Sequence, residues 1–379
     1  MDKIIPLSVP NIKGNEIKYV EKALRDEWVS TAGSFITDFE NNIAQYTKAK
    51  YAVACQSGTA GIHLSLLALN IKSDDEVIVP TLTFIAAVNP VKYIGASPIF
   101  MDCDDSLCLD HKKLRQFCEN ECIFKEDKLI NKHTNKHIKA IIVVHIFGNM
   151  ANMEEIMDIA YKYNLKVIED ATESLGTFYK EGKYARKYAG TIGDIGIYSF
   201  NGNKIITTGG GGMVVSNNEY LAKKIKYLST QAKDDETYFI HNEIGYNYRM
   251  TNLQAAVGLA QLEKLEEFIK TKEENYNLYN KNNIKLLKFN EKCRVNYWFY
   301  SYLTEKRDIL IKKLQKMKIQ TRPIWKLIHT LPPYKYCQSY KIEKANYYYD
   351  KVLNIPCSSN LSSQDVLYVC EKIKMIENS

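Results

Sequence analysis

The chain has 379 residues, of which 45% are hydrophobic, 25% charged and 11% aromatic, with a net charge of +7. At about 150 residues per domain this length gives two domains or one large one, with a core that needs no disulfide or metal staple. A disulfide-bonded miniprotein, a collagen-like chain and a disordered tail are excluded.

Lysines are spread along the chain, and no Lys/Arg block is dense enough for a nucleic-acid arm, so no nucleic-acid partner is expected. Nine cysteines, an odd number without a Cys-x-x-Cys pair, point to reduced thiols in a cytoplasm. The segment Met1-Asp2-Lys3-Ile4-Ile5-Pro6 has no apolar stretch of a leader peptide. Val77 to Val91 is broken by Pro80, Thr81, Thr83, Asn89 and Pro90, too interrupted to span a bilayer. A cytoplasmic protein with no membrane partner is expected.

In chain order, seven short apolar runs predict strands: Tyr51–Cys55, Glu76–Val79, Pro98–Asp102, Ala140–His145, Lys166–Glu169, Ile195–Phe200 and Met213–Ser216. Helical patterns such as Thr59–Leu69 and Met153–Tyr163 lie between several of them. Continuously apolar strands alternating with helices predict a seven-stranded, mostly parallel sheet covered on both faces. Ligands bind such sheets at the carboxyl ends of the strands. After Gly258, the last of 18 glycines, the texture changes. A charged helix over about Asn252 to Asn280, an aromatic strand Tyr297–Leu303 and a helix Asp308–Met317 are predicted. A Pro-punctuated stretch from Thr321 to Tyr334 follows, then a final helix from Ser363. The division expected is a large α/β domain over 1–250 and a smaller α/β domain over 251–379.

Three strand ends carry chemistry. Gln56-Ser57-Gly58-Thr59-Ala60-Gly61 opens a helix with small residues, which suits a phosphate; alone it also reads as an ordinary helix start. Glu169-Asp170-Ala171-Thr172-Glu173 ends a buried strand in acids, where Asp170 is either a helix cap or a partner for a cationic ligand group. Ser199-Phe200-Asn201-Gly202-Asn203-Lys204 leads into four glycines, Gly209 to Gly212. A lysine in such a turn is either solvated or, partly desolvated, a nucleophile able to join a carbonyl. A phosphate, a ring nitrogen wanting a carboxylate and an aldehyde wanting a lysine are the three handles of pyridoxal phosphate.

With Trp28-Val29-Ser30-Thr31-Ala32-Gly33, Pro80-Thr81-Leu82-Thr83-Phe84 and Gly245-Tyr246-Asn247-Tyr248-Arg249-Met250 added, the chain resembles pyridoxal-phosphate sugar aminotransferases of the DegT/DnrJ/EryC/StrS type. These have the aspartate-aminotransferase-like fold type I. Ser199 to Gly212 and Arg322-Pro323-Ile324-Trp325 resemble the legionaminic-acid-pathway 4-aminotransferases in particular. The resemblance implies amino transfer from glutamate to C4 of a nucleotide-linked 4-keto-6-deoxy-2-acetamido sugar; the alternative is a 3-keto-sugar aminotransferase of the same fold. It implies that Lys204 holds the cofactor and moves the proton, and that Asp170 pairs with the ring nitrogen. Glu173 would stand beside the ring hydroxyl, Gly58, Thr59 and Ser199 would bind the phosphate, and Phe84 would stack on the ring. Asn247 would reach the phosphate of a neighbouring subunit, implying a homodimer with shared sites. Trp28, Thr31, Arg322, Trp325 and His329 would face the nucleotide-sugar.

Other motifs carry less. Cys118, Cys122, His133 and His137 approach a zinc-finger spacing, but their Cys-to-His gap is short and Asn131–His137 reads as a polar turn, so no metal is expected. His145 ends a strand and reads as a hydrogen-bonded structural histidine. Gly209–Gly212 lacks the dinucleotide register, which argues against a nicotinamide dehydrogenase. Related 3-dehydratases have a histidine where this chain has Lys204. A scaffold that kept only the fold would have no use for the Asp170–Lys204 pair.

Overall fold

The structure, a computed structural model, describes residues 4–235 and 237–379. Met1–Lys3, where the segment read as no leader begins, lie outside the described residues.

Fifteen strands occur among the described residues, in chain order β1 Tyr51–Cys55, β2 Asp75–Pro80, β3 Ser97–Met101, β4 Cys122–Lys125, β5 Lys128–Asn131, β6 His137–Val144, β7 Lys166–Asp170, β8 Phe178–Tyr179, β9 Ile195–Ser199, β10 Gly212–Ser216, β11 Cys293–Arg294, β12 Tyr300–Leu303, β13 Arg322–Pro323, β14 Ser339–Tyr340 and β15 Val352–Ile355. All seven predicted strands are present. The main sheet runs β1-β10-β9-β7-β6-β2-β3-β14. From β9 to β14 every pairing is parallel, and β10 is antiparallel to both β1 and β9. Two antiparallel steps restore the direction, so β1, β9 and β7 end on the same edge of the sheet. Segments more than a hundred residues apart in the chain therefore converge there.

The central parallel strands are buried over most of their length; Val77, Ile78, Val79, Ile141, Ile142 and Val143 are all 0% exposed. Such strands need a layer on each face. Helix Gly58–Ala68, apolar on all sides, packs against β9 and β10. Helix Met153–Lys162 packs against β7.

The sheet holds ten strands rather than seven. Two of the extra strands, β4 and β5, form a hairpin that runs into the expected polar turn at Asn131. Its tip, Glu126-Asp127, has both residues at positive φ, 52° and 56°. That is the conformation of a tight hairpin turn, and it usually calls for Asn or Gly. Ile123 and Phe124 are exposed, so no alternation marked the strands. The third, β14, is only two residues long and comes from the C-terminal part of the chain.

The long helix expected over Asn252 to Asn280 is two helices, Asn252–Leu262 and Leu265–Lys281. The first packs on helices Glu16–Arg25 and Ser34–Thr47, the second on helix Ser363–Glu377. One straight rod cannot follow both surfaces, and the chain re-aims at Glu263-Lys264. C-terminal residues also build a three-stranded antiparallel sheet, β12-β15-β13.

Asp102, just past β3, joins the main sheet to the C-terminal residues. Its carboxylate, 0% exposed, accepts N–H bonds from Glu343 at 2.9 Å, Lys344 at 3.0 Å and Ala345 at 2.7 Å, and an ion pair from Lys113 at 2.6 Å. It thereby closes the open N-terminus of helix Lys344–Lys351. Burial pushes its carboxyl up, but Lys113 and the three N–H groups outweigh that and hold it below the ordinary range. Asp102→Ala leaves three N–H groups at the helix start unpaired and removes one of the Lys113 partners, the Glu343 carboxylate and Lys341 carbonyl remaining, and is expected to cost about 3 kcal/mol in urea unfolding at pH 7. Because the folded carboxyl titrates below the unfolded one, the wild-type contribution is present above about pH 4 and lost at more acid pH.

Candidate active site

At the shared edge, β1 leads to Ser57, whose hydroxyl accepts the Ala60 N–H at 3.1 Å and caps helix Gly58–Ala68. Gly58 and Thr59 thus bring the first free N–H groups of a helix to the sheet's edge. A Cβ on Gly58 would lie 2.8 Å from Thr172 Cγ2 and 3.2 Å from Ser199 Cβ, so only glycine lets the helix start against the ends of β7 and β9. Gly212 plays the same part from below, since a Cβ there would meet the Ser57 carbonyl carbon at 2.5 Å. Gly209, at φ +77°, turns the chain back toward β10.

β7 ends in two acids that face opposite ways, as successive strand residues must. Glu169 is structural: it accepts N–H groups from Gly190, Ile192 and Gly193 at 2.6–2.9 Å and pairs with His145 Nε2 at 2.9 Å. Since His145 Nδ1 accepts the Ala151 N–H at 3.2 Å, Nε2 carries the proton. His145 is therefore the hydrogen-bonded structural histidine expected. Asp170 faces a cavity of about 500 Å³. It is 4% exposed and accepts the Thr172 N–H at 3.1 Å. Burial raises its carboxyl, opposed by Thr172 and the Lys204 charge.

Glu173, also 4% exposed, accepts the Phe147 N–H at 2.7 Å and stands 3.7 Å from Lys204 Nζ. Burial pushes it up to about 7 against the pull of Lys204. Lys204 follows β9, in a turn closed by its N–H to the Asn201 carbonyl at 3.0 Å.

The cavity brings together Gly58, Thr59, Phe84, Asp170, Glu173, Ser199, Lys204, Arg322 and Trp325. The Trp325 ring lies 4.9 Å from Phe147 and 6.2 Å from Phe84, so the C-terminal segment forms one wall. Four predicted residues lie elsewhere. His329 is hydrogen-bonded through Nδ1 to Thr81 Oγ1 at 2.6 Å, behind the Thr81–Phe84 loop. Trp28 and Thr31 lie in a loop held by Asn252, which bonds the Trp28 carbonyl at 2.7 Å and the Ser30 carbonyl at 2.6 Å. Asn247 is exposed and pairs with Arg249. Cavity residues that sequence reasoning missed include Trp298, Asn203 and Thr172. Thr172 and Asn203 sat inside motifs already singled out; Trp298 comes from a predicted strand with no local mark of function.

These residues fit pyridoxal phosphate. Helix N–H groups and the Ser199 hydroxyl suit the phosphate, a buried carboxylate suits the ring nitrogen, and Lys204 is at hand for the aldehyde. Among the described residues no cluster of three or more potential metal ligands occurs, and no helix is long and apolar enough to cross a membrane.

Glu173 titrates higher when folded than when unfolded, so its contribution to stability is full below about pH 4.5 and is lost as pH rises through about 7. Denaturant unfolding of cofactor-free protein should show a loss of roughly 2–3 kcal/mol across that window. Glu173→Gln should flatten it.

Residues 10–374 match the model of the DegT/DnrJ/EryC1/StrS aminotransferase family. The chain is 41% identical to the GDP-perosamine synthase of Escherichia coli O157:H7, over 98% of each chain. It is 32% identical to the UDP-4-amino-4,6-dideoxy-N-acetyl-beta-L-altrosamine transaminase of Campylobacter jejuni subsp. jejuni (strain 81-176), over 97% of this chain and 96% of that one. A DegT DnrJ EryC1 StrS aminotransferase from Brucella abortus superposes with a TM-score of 0.88 at 25% identity, covering 96% of each. Fold type I, the pyridoxal phosphate cofactor and the aminotransferase class follow: the chain belongs to the DegT/DnrJ/EryC1/StrS aminotransferases, a family of sugar aminotransferases acting on nucleotide-sugars.

Proposed function

We propose that this enzyme transfers an amino group from glutamate to C4 of a nucleotide-linked 4-keto-6-deoxy sugar, with Lys204 as the cofactor-bearing lysine. The observation that carries this reading is the convergence of Asp170, Glu173 and Lys204 beneath the Gly58-Thr59 helix start. Pyridoxal phosphate supplies the electron sink for the transfer. Asp170, buried and acceptor-only when ionised, holds a proton at the ring nitrogen. Lys204 moves a proton to and from the carbon that gains the amine. Gly58, Thr59 and Ser199 bind the phosphate, Glu173 faces the ring hydroxyl, and Phe84 covers the ring and excludes water. Arg322, on the cavity wall, suits the substrate's diphosphate, and Trp325 suits its sugar or base.

Asn247 serves a second subunit in this reading. It follows, by three to nine positions in the chain, Ile244, Phe239 and Tyr238, which are 83%, 68% and 77% exposed, apolar groups that a homodimer would cover. Trp28, 58% exposed, belongs to the same reading, and Thr31 shares its loop. His329 acts through Thr81, by setting the loop that carries Phe84. The large and small domains divide near residue 250, and the enzyme works in the cytoplasm.

For the carrier, the higher identity of the GDP-linked relative, 41% against 32%, favours GDP. A UDP-linked 2-acetamido sugar of legionaminic type is the second reading, favoured by the N-acetyl group in the name of the Campylobacter enzyme.

GDP- and UDP-linked 4-keto-6-deoxy sugars, each with glutamate, test both readings, with product mass and C4 stereochemistry read by NMR. Faster amination of the GDP sugar is expected, and amination only at C3 would refute the C4 assignment. Lys204→Ala should abolish turnover and the borohydride-sensitive visible band, at least 1,000-fold in kcat. Mixed dimers of Lys204→Ala and Asn247→Ala subunits should regain part of the wild-type rate, since one of their two sites holds both wild-type groups.

A further inference from the structure

Trp298 holds no part of the cofactor in this reading, yet it touches the lysine turn twice. The side chain is 2% exposed and precedes β12. Its indole N–H donates to the Asn203 carbonyl at 2.7 Å. The same carbonyl accepts the Ser8 hydroxyl at 3.3 Å, from the N-terminal segment. The Trp298 ring lies 4.1 Å from Lys204 Nζ and is stacked on Phe299, with centroids 4.0 Å apart and planes 7° off parallel. The Trp298 backbone N–H donates to Asn296 Oδ1 at 3.0 Å, while Asn296 Nδ2 donates to the Glu173 carbonyl at 2.8 Å. One residue is thus tied by its indole to the turn carrying the lysine and by its backbone, through Asn296, to the segment carrying the acid opposite it.

We propose that Trp298 is a positioning residue for Lys204: with Ser8 it fixes the Asn203–Lys204 peptide, and its ring confines the amine to the side of Glu173. A free lysine side chain has several rotatable bonds and much entropy to lose. Capture of the cofactor forms a C=N bond between Nζ and the aldehyde carbon and releases one water, and it requires the amine at near-attack distance. A carbonyl with two donors resists a peptide flip, and a cation held over an indole face has few other places to go. The inference rests on Lys204 being the cofactor-bearing lysine.

Two ligands separate positioning from packing. Pyridoxal phosphate added to full-length cofactor-free protein reports capture through the rise of its visible band. Pyridoxamine phosphate has an amine in place of the aldehyde, so its Kd reports the non-covalent contacts alone. Trp298→Leu should slow capture between about 10- and 100-fold and leave the pyridoxamine phosphate Kd within about twofold. Trp298→Phe, which keeps a ring but not the N–H, and Ser8→Ala should each slow capture less, and they carry the test if Trp298→Leu fails to fold. Combining Ser8→Ala with Trp298→Phe should slow capture by less than the product of the two, because both act on one carbonyl. Capture at the wild-type rate in these variants, or a parallel loss of capture and pyridoxamine phosphate binding, would overturn the proposal. No capture by the wild type, or wild-type capture by Lys204→Ala, would instead overturn the assignment of Lys204.

Discussion

Two carboxyl groups, Asp170 and Glu173, are buried within three residues of each other at one edge of a parallel sheet. Left unpaired, each would cost several kcal/mol in its charged form. The rest of the site answers that constraint. Thr172 and Phe147 donate backbone N–H groups to them, and Lys204 supplies the opposing charge. Lys204 can stand there because β9, which leads into its turn, is the neighbour of β7.

Strand periodicity decides which acids take part. Glu169 and Asp170 are adjacent in sequence and both buried, but they point to opposite faces. Glu169 is saturated by three N–H groups and His145, so it has no capacity left for a ligand. Asp170 accepts one backbone N–H and opens onto the cavity. A run of acids at a strand end thus divides into a structural and a ligand-facing member by parity alone.

Most of this was legible in the sequence. Seven buried strands announce themselves by continuous apolar runs, and Gly58, Asp170 and Lys204 stand out because each follows one. The hairpin β4–β5 did not, because its strands are four residues long, partly exposed, and joined by Glu126-Asp127 in a conformation those residues seldom adopt. Nor did the break at Glu263-Lys264, where no Pro or Gly marks the change; it is set by which surfaces the two helices cover. Trp298 was hidden for a related reason. Its sequence neighbours, Tyr297, Phe299 and Tyr300, make it one of a run of aromatics, and only tertiary contact distinguishes it. His329, expected to face the nucleotide-sugar, is held instead by its Nδ1 to Thr81 Oγ1 at the start of the loop that carries Phe84, a tertiary contact that no local pattern in the sequence announces.

The connection between the two parts of the chain follows from where their contacts fall. Parallel strands present their carboxyl ends as a row of loops, and a row of loops leaves a site open on one side. Here the C-terminal residues close it. Ile328 donates its N–H to the Thr81 carbonyl at 3.0 Å, β14 extends the sheet past β3, and Asp102 grips the start of helix Lys344–Lys351. Those three attachments lie on the same side of the sheet as β2 and β3, and they bracket Arg322 and Trp325 against the Phe84 loop. On the other side, Trp298 and Asn296 reach the turns after β9 and β7. The cavity therefore lies between the edge of the main sheet and the C-terminal residues, held at both ends by hydrogen bonds. Any shift of the C-terminal strands must pass either through the wall that carries Arg322 or through the turn that carries Lys204.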